Sequence, residues 1–185
     1  MVDKDSQIPS AWPEIFLSPV GFVRSAIKEP RLVAGSKGIE PDRRFDNTRG
    51  QTAEVRNLVS ELIIDRSLKG ILDGIEDFSH LLVLYWPHLV PSEGRTLTKV
   101  HPMGRKDLPL VGVFCTCSPA RPNPILVTAV RLLEREDNVL RVSGLEAVDG
   151  SPIIDIKPYV PSYYSAVEVR LSKWMVELEK DAHEA

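Results

Sequence analysis

Residues 126–145 read LVTAVRLLEREDNVLRVSGL, and this stretch carries the clearest structural signal in the chain. Two runs rich in valine and leucine, 126–134 and 139–145, flank the polar link 135–138. Apolar and β-branched runs on either side of a short polar link are typical of a hairpin. The stretch therefore predicts two antiparallel strands.

Other strand candidates lie on both sides of this hairpin, and no long helical pattern separates them. The predicted strands are Pro19–Arg24, Glu61–Asp65, Ser79–Leu89, Val111–Thr116 and Ile153–Lys157. Strands without intervening long helices favour a mainly β fold, a single small antiparallel β-barrel, over a doubly wound one. The nearly continuous apolar character of 79–89 predicts burial on both faces of that strand.

The remaining segments complete the predicted organisation. Residues 1–17 lack periodicity and predict an N-terminal arm, 18–161 form the predicted barrel domain, and 162–185 form a C-terminal extension. In the extension, apolar residues recur at helical spacing, which predicts a short C-terminal helix built on Leu171, Trp174, Met175 and Leu178. Residues 29–50 mix glycine, proline and charge and predict a long loop.

Composition limits the class of protein. A chain of 185 residues, 43% of them hydrophobic, is expected to fold as one domain. Its 26 acidic and 23 basic residues give a net charge of -3, which excludes a histone-like cationic body. The longest apolar run, 81–86, is too short for a membrane helix, and residues 1–6 lack the apolar core of a signal peptide. We expect a cytoplasmic protein with no membrane partner.

Several common catalytic scaffolds are excluded by missing motifs. No two of the eleven glycines are separated by a single residue, so a GxGxxG dinucleotide fingerprint is impossible, and the GxxxxGK phosphate loop is also missing. The chain has no HExxH, GxSxG or CxxC motif, which removes zincins, ordinary α/β-hydrolases and zinc ribbons. Any chemistry must use a less common scaffold.

The most unusual segment is 111–125, VGVFCTCSPARPNPI. Prolines at 119, 122 and 124 fix the backbone and predict a stiff loop. Such a loop presents hydroxyl, guanidinium and amide groups in a nearly fixed arrangement that suits a polar, planar or anionic ligand. These groups belong to Thr116, Ser118, Arg121 and Asn123. The alternative is a structural corner whose arginine and asparagine cap local carbonyls.

Two further segments accompany this proline corner. Residues 145–159, LEAVDGSPIIDIKPY, place Asp149 in a turn and set Asp155 and Lys157 on one face of a strand, where a surface salt bridge is the simplest interpretation. Residues 78–81, FSHL, lead into the apolar strand that precedes His88. Candidate general bases among these residues are Asp149, Asp155 and His80.

Taken in order, these three segments resemble the TrmO family, also called YaeB-like or TsaA-like, of tRNA methyltransferases. The family pattern reads FSHL, then GVFATRSPxRPNPIG, then LDGTPVLDIKPY, and residues 19–25, PVGFVRS, match its opening strand. The resemblance covers about residues 19–161. It implies a small β-barrel that binds S-adenosylmethionine without a Rossmann fold, works as a homodimer with cofactor pockets near the subunit contact, and methylates the exocyclic nitrogen of threonylcarbamoyladenosine beside the anticodon of tRNA.

The resemblance also implies site residues. Cofactor contacts carried over by motif fall on His88, Leu89, Cys117, Val127, Leu145, Glu146, Ala147, Val148 and Asp149, with Arg121 and Asn123 in the signature loop. The proline corner, residues 111–125, and the turn that contains Asp149, residues 145–150 and called the aspartate turn below, should therefore meet across the closed sheet. Two cationic loops suit tRNA phosphates, since residues 24–56 hold eight basic side chains and 95–121 hold five. The expected phosphate contacts are Arg24, Arg31, Arg43, Arg44, Arg49, Lys99, Arg105 and Lys106.

The chain departs from the family pattern at three points, and the departures keep two alternatives open. Cys117 replaces an arginine, Leu126 replaces a glycine, and the family's RQPG segment has no clear counterpart at 28–50. One alternative is a methyltransferase of the same fold with a small-molecule acceptor. The other is a non-enzymatic ligand or metal module, with Cys115, Cys117 and a nearby histidine as its only ligands.

Overall fold

A closed six-stranded antiparallel barrel forms the body of the computed structural model, which describes residues 14–30, 32–35, 38–41 and 56–183. The strand order around the barrel is β1-β10-β5-β8-β9-β4. The barrel strands are β1 Gly21–Arg24, β4 Val59–Ile64, β5 His80–Tyr85, β8 Leu126–Glu136, β9 Val139–Ser143 and β10 Pro152–Pro158. Two ribbons lie outside the barrel and pair β2 Leu32–Gly35 with β3 Gly38–Pro41 and β6 Lys99–Val100 with β7 Val111–Gly112. The predicted fold class is confirmed.

The barrel interior is filled by alternate residues of each strand. On β5, Leu81, Val83 and Tyr85 are buried, while the intervening leucines are half-buried on the outer face. The prediction that this strand is buried on both faces is therefore wrong, because an antiparallel barrel wall leaves one face outside. Its true length, His80–Tyr85, is also shorter than the predicted 79–89.

The hairpin of 126–145 forms as predicted, with a tighter turn. Glu136 pairs with Val139, so the connection is only Asp137 and Asn138, and Asp137 adopts a left-handed φ of 53°. Aspartate tolerates this conformation, which two-residue hairpin loops require. A register shift between Leu132 and Glu134 marks a bulge that bends the long strand β8 from its neighbour β5 to its neighbour β9.

Two other predictions change in the structure. The predicted strand Val111–Thr116 ends after Gly112, and Val113–Cys115 forms a 3-10 turn, so Cys115 and Cys117 do not share a strand face. The predicted loop 29–50 contains the β2–β3 ribbon in its described part. Beyond the barrel, two described helices follow, α1 Pro161–Tyr164 and α2 Lys173–His183. Neither described helix is long and apolar enough to cross a membrane.

Candidate functional site

A cavity of about 720 Å³ opens at one end of the barrel. The register defines this end: Tyr85, the last residue of β5, pairs with Leu126, the first residue of β8, and with Ile153 near the start of β10. Its volume is typical of small-molecule sites, which are usually apolar with a few polar groups. The lining is Ile27, Pro30, Leu32, Val33, Tyr85, Pro87, His88, Leu89, Val90, Pro91, Cys117, Pro119, Arg121, Ile125, Leu126, Val127, Thr128, Gly144, Glu146, Val148 and Ser151.

Tyr85 brings a buried hydroxyl to the cavity. It is only 4% exposed, and its hydroxyl donates to the carbonyl oxygen of Glu146 at 3.2 Å and lies 3.5 Å from Thr128 Oγ1. Burial raises the pKa of the phenol, and the nearby Glu146 charge acts in the same direction, so Tyr85 stays a neutral donor. Neither Tyr85 nor Thr128 is among the site residues predicted from the sequence, although both lie on predicted strands.

The proline corner is held together by its own polar side chains. Arg121 Nε donates to the Ser118 carbonyl at 2.7 Å, and its Nη2 donates to the Thr116 carbonyl. The Thr116 hydroxyl donates to the Val113 carbonyl at 2.8 Å, and the Ala120 amide donates to Ser118 Oγ at 3.1 Å. The arginine thus caps local carbonyls, as the structural interpretation of this loop predicts, and it also lines the cavity.

The turn after β9 alternates between core and cavity. Leu145 and Ala147 are 0% and 1% exposed and pack in the barrel core, whereas Glu146 and Val148 line the cavity. Asn123 is exposed and does not line the cavity, although Arg121 and Ile125 on either side of it do. The proline corner and the aspartate turn meet at this cavity, as the family resemblance implies, although neither Asn123 nor Asp149 is among its lining residues.

Asp149 anchors a neighbouring segment instead of pointing a free carboxylate at the cavity. Its Oδ1 accepts a hydrogen bond from the Ser25 amide at 2.9 Å, and its Oδ2 lies 2.8 Å from Lys28 Nζ. Its own amide donates to the Ile27 carbonyl at 2.7 Å. Lys28 first, and then the Ser25 amide, lower the pKa of this carboxyl, so it is a weak base. Asp149 therefore fixes the segment whose Ile27 and Pro30 line the cavity.

The Asp149→Asn variant should lose this anchor and its pH dependence. Because the folded pKa of Asp149 lies below the ordinary aspartate value of 3.8, the carboxylate stabilises the fold above that value, and the stabilisation is lost as the pH falls through the folded pKa. The wild type should therefore lose more stability than D149N between pH 5 and 2 in urea melts monitored by circular dichroism. If the two proteins lost the same unfolding free energy between pH 5 and 2, the role of Asp149 as an ionised anchor would be contradicted.

His88 lies in the cavity wall opposite a buried hydroxyl. Its Nδ1 is 3.4 Å from the hydroxyl oxygen of Ser151, which is only 1% exposed. Gly150 leaves the other side of the ring open, since a Cβ there would come 3.9 Å from Nε2. A neutral imidazole that donates from Nδ1 to Ser151 keeps Nε2 as an acceptor.

Other predicted site residues lie away from the cavity. His80 begins β5 at the opposite end of the barrel, where it contacts Ser79, and Asp155 pairs with Lys157 at 2.5 Å on the barrel surface, as the sequence predicts for that pair. Arg105 forms a surface ion pair with Asp107 at 2.6 Å. Arg31, Arg43, Arg44 and Arg49 fall outside the described residues.

The described residues give no support to a metal site at the cysteines. Both thiols are free and exposed, and Cys117 lines the cavity. Within the described ranges, no group of three or more His, Cys, Asp or Glu side chains could hold a metal ion.

Barrel and cavity together define a class: small antiparallel β-barrels that hold a ligand at one end of the sheet. Within this class, the chain belongs to the TrmO family, because the family model described as the tRNA-methyltransferase O N-terminal domain matches residues 43–165. This match confirms the family resemblance inferred from the motifs.

Individual relatives agree with this assignment. A probable S-adenosyl-L-methionine-binding protein of Methanothermobacter thermautotrophicus is 43% identical over 146 residues, covering 79% of this chain and 90% of the relative. The Escherichia coli tRNA (adenine(37)-N6)-methyltransferase is 32% identical over 77% of this chain, which spans only 56% of that enzyme. The crystal structure of TrmO from Pseudomonas aeruginosa superimposes with a TM-score of 0.61 at 27% identity, covering 88% of this chain and 62% of that one.

Proposed function

We propose that this protein is an S-adenosylmethionine-dependent methyltransferase whose acceptor is the exocyclic nitrogen of threonylcarbamoyladenosine in the tRNA anticodon loop. The observation that carries the proposal is the cavity itself. It is built by the proline corner and the aspartate turn, the two segments whose sequences match the family pattern. The relatives named for S-adenosylmethionine binding and for adenine methylation in tRNA support the same cofactor and an adenine acceptor in tRNA.

The cavity residues suit S-adenosylmethionine. Apolar side chains cover most of the wall and can pack against an adenosine ring, as Leu89, Ile125 and Val148 do in this proposal. The wall also holds one cation, Arg121, and one anion, Glu146, which can face the carboxylate and the ammonium group of the amino acid moiety. When bound, the cofactor supplies a methyl group on a positively charged sulfur. The cofactor contacts we propose are therefore His88, Leu89, Cys117, Arg121, Val127, Glu146 and Val148.

The catalytic contribution of the chain is mainly orientation. A wall fixed by Arg121 and by the Asp149 anchor holds the reactants in line. The acceptor nitrogen must also lose a proton. We assign that proton to Nε2 of His88, because this imidazole lies in the wall and Ser151 can hold its tautomer, whereas the Asp149 carboxylate is already paired. Ser151 is a positioning residue in this scheme.

The acceptor and assembly follow from the same family likeness. An anticodon-loop base is unpaired and can enter a pocket at low cost while basic side chains contact phosphates. Lys99 and Lys106 are exposed and are proposed phosphate contacts, together with the arginines at 31, 43, 44 and 49. We also propose a homodimer, since half-exposed apolar side chains, Leu89 at 48% and Val127 at 57%, line the cavity. We also propose a cytoplasmic location, because the proposed tRNA acceptor is found there.

Two measurements test this function. Calorimetric titration of the full chain with S-adenosylmethionine should give saturable binding, and no heat at millimolar ligand would overturn the proposal. Methyl transfer should then be assayed on tRNA with and without the threonylcarbamoyl group, followed by mass spectrometry of the nucleosides. Methylated threonylcarbamoyladenosine supports the proposed acceptor, and cofactor binding without it refutes that acceptor.

A second candidate is a methyltransferase of the same fold that acts on a small molecule. The observation that favours it is Cys117, which lines the cavity where the family pattern has an arginine. The replacement removes a cation and five potential donors from the wall. Binding of S-adenosylmethionine together with unchanged tRNA nucleosides would select this candidate.

A further inference from the structure

The segment between α1 and α2 has the sequence pattern of a strand but lies in no sheet. Residues 166–171 read AVEVRL, and the three larger apolar side chains alternate with Glu168 and Arg170. Val167, Val169 and Leu171 are 91%, 65% and 47% exposed. None of the described strands of this chain pairs with the segment. Alternation of this kind is typical of a strand with one apolar face, and that face is uncovered here.

The charges of the segment are arranged symmetrically about Val169. If two copies pair antiparallel with Val169 opposite itself, Glu168 of each copy faces Arg170 of the other, and Val167 faces Leu171. Directly opposite residues of antiparallel strands lie about 4.5–5.5 Å apart, so the pairing would form two salt bridges on one face and an apolar stripe on the other. Within the described part of this chain, neither charge has an ion-pair partner, so both are available for such a contact.

The backbone conformation of Glu168 also supports this pairing. Glu168 has a φ of 55°, in the left-handed region that a glutamate adopts only at a cost, and this residue interrupts an otherwise strand-like segment. An extended strand would return Glu168 to an ordinary conformation. A contact that is its own mirror about one residue is also the form that two-fold homodimers require.

We infer that residues 166–171 form a two-fold antiparallel strand pair between two copies of this chain. This contact lies outside the cavity and outside the match to the family model, which ends at residue 165. Two short strands form a small interface by themselves. This contact between the 166–171 segments, called the tail contact below, should therefore be weak or should add to a larger dimer interface. The contact depends on self-association of the chain and does not depend on methyltransferase activity.

Charge reversal tests the pairing, with sedimentation equilibrium of the full chain as the measurement. Glu168→Arg sets two arginines opposite each other at two positions and should raise the dimer Kd about tenfold or more; Arg170→Glu should act similarly. The double variant E168R/R170E restores opposite charges and should return the Kd to within about threefold of the wild type. A wild type that stays monomeric at 100 µM, single variants that dimerise normally, or a double variant as weak as the single ones would each overturn the inference.

A cross-link tests the register. In a C115S/C117S background, Val169→Cys would place two thiols opposite each other at a separation that a disulfide can bridge. Copper–phenanthroline, which oxidises two thiols to a disulfide, should convert most of this variant to a covalent dimer. Ile71→Cys, at a surface position that is 54% exposed, is the matched control and should stay monomeric on denaturing gels. Equal cross-linking of both variants would contradict the register. A chain that forms the tail contact but binds no S-adenosylmethionine would refute only the proposed function.

Discussion

The His88→Asn variant should lower kcat for tRNA methylation by about 100-fold or more at saturating cofactor, and should weaken S-adenosylmethionine binding by a smaller factor, about tenfold or less, because His88 is only one of several proposed cofactor contacts. General-base catalysis by a positioned side chain contributes about 10²–10⁴-fold, and asparagine keeps the size and polarity of the residue without accepting the proton. The measurements are methyl transfer to modified tRNA at saturating cofactor and calorimetric titration with the cofactor alone.

His80→Asn is the matched control for this variant. It removes the same type of side chain at the opposite end of the barrel. Within the described residues, the only side-chain hydrogen bond of His80 is to its neighbour Ser79. Its kcat should stay close to that of the wild type. Ser151→Ala should lower kcat by less than His88→Asn does, because it removes the group that fixes the tautomer and leaves the imidazole in place. A larger loss of kcat from H80N than from H88N would show that His88 is not the base.

The Gly21→Ala variant should lose about 3 kcal/mol of unfolding free energy, which corresponds to a fall in Tm of roughly 10 °C for a domain of this size. A Cβ at Gly21 would come 2.2 Å from the carbonyl oxygen of Ile63 and 2.9 Å from the Ile64 Cα. Both atoms belong to the backbone of β4, so neither can move aside as a flexible side chain does. Gly21 also pairs with Ile153 of β10, and the extra methyl therefore acts where the barrel closes.

Gly112→Ala is the matched control for this change. Gly112 lies in β7, outside the barrel, and a Cβ there would meet nothing within 4 Å. Its unfolding free energy should stay within about 0.5 kcal/mol of the wild-type value. Thermal melts followed by circular dichroism measure both variants. A Gly21→Ala protein that melts within 2 °C of the wild type would contradict the tight approach of β1 and β4.

Local pattern was enough to predict the barrel strands, whereas the two segments that wall the cavity were predicted from the family resemblance. Alternation and apolar runs identify β5, β8, β9 and β10, because an antiparallel wall imposes a period of two on the sequence. Pattern was less reliable where turns decide the conformation. The run 111–116 looks like one strand, yet the chain turns at Val113, where the Thr116 amide and hydroxyl both bond to the Val113 carbonyl.

The sequence by itself determined the fold class, the family and the segments that meet at the site. Only the tertiary structure decided which side chains of those segments face the cavity and which groups are already engaged. Asp149 looks like a base in the sequence, but it is held by Ser25, a residue 124 positions earlier in the chain. Glu146 and Val148 line the cavity while their neighbours enter the core. Such contacts join residues that are adjacent only after the barrel closes, and no local pattern records them, because closure depends on the register of six strands at once.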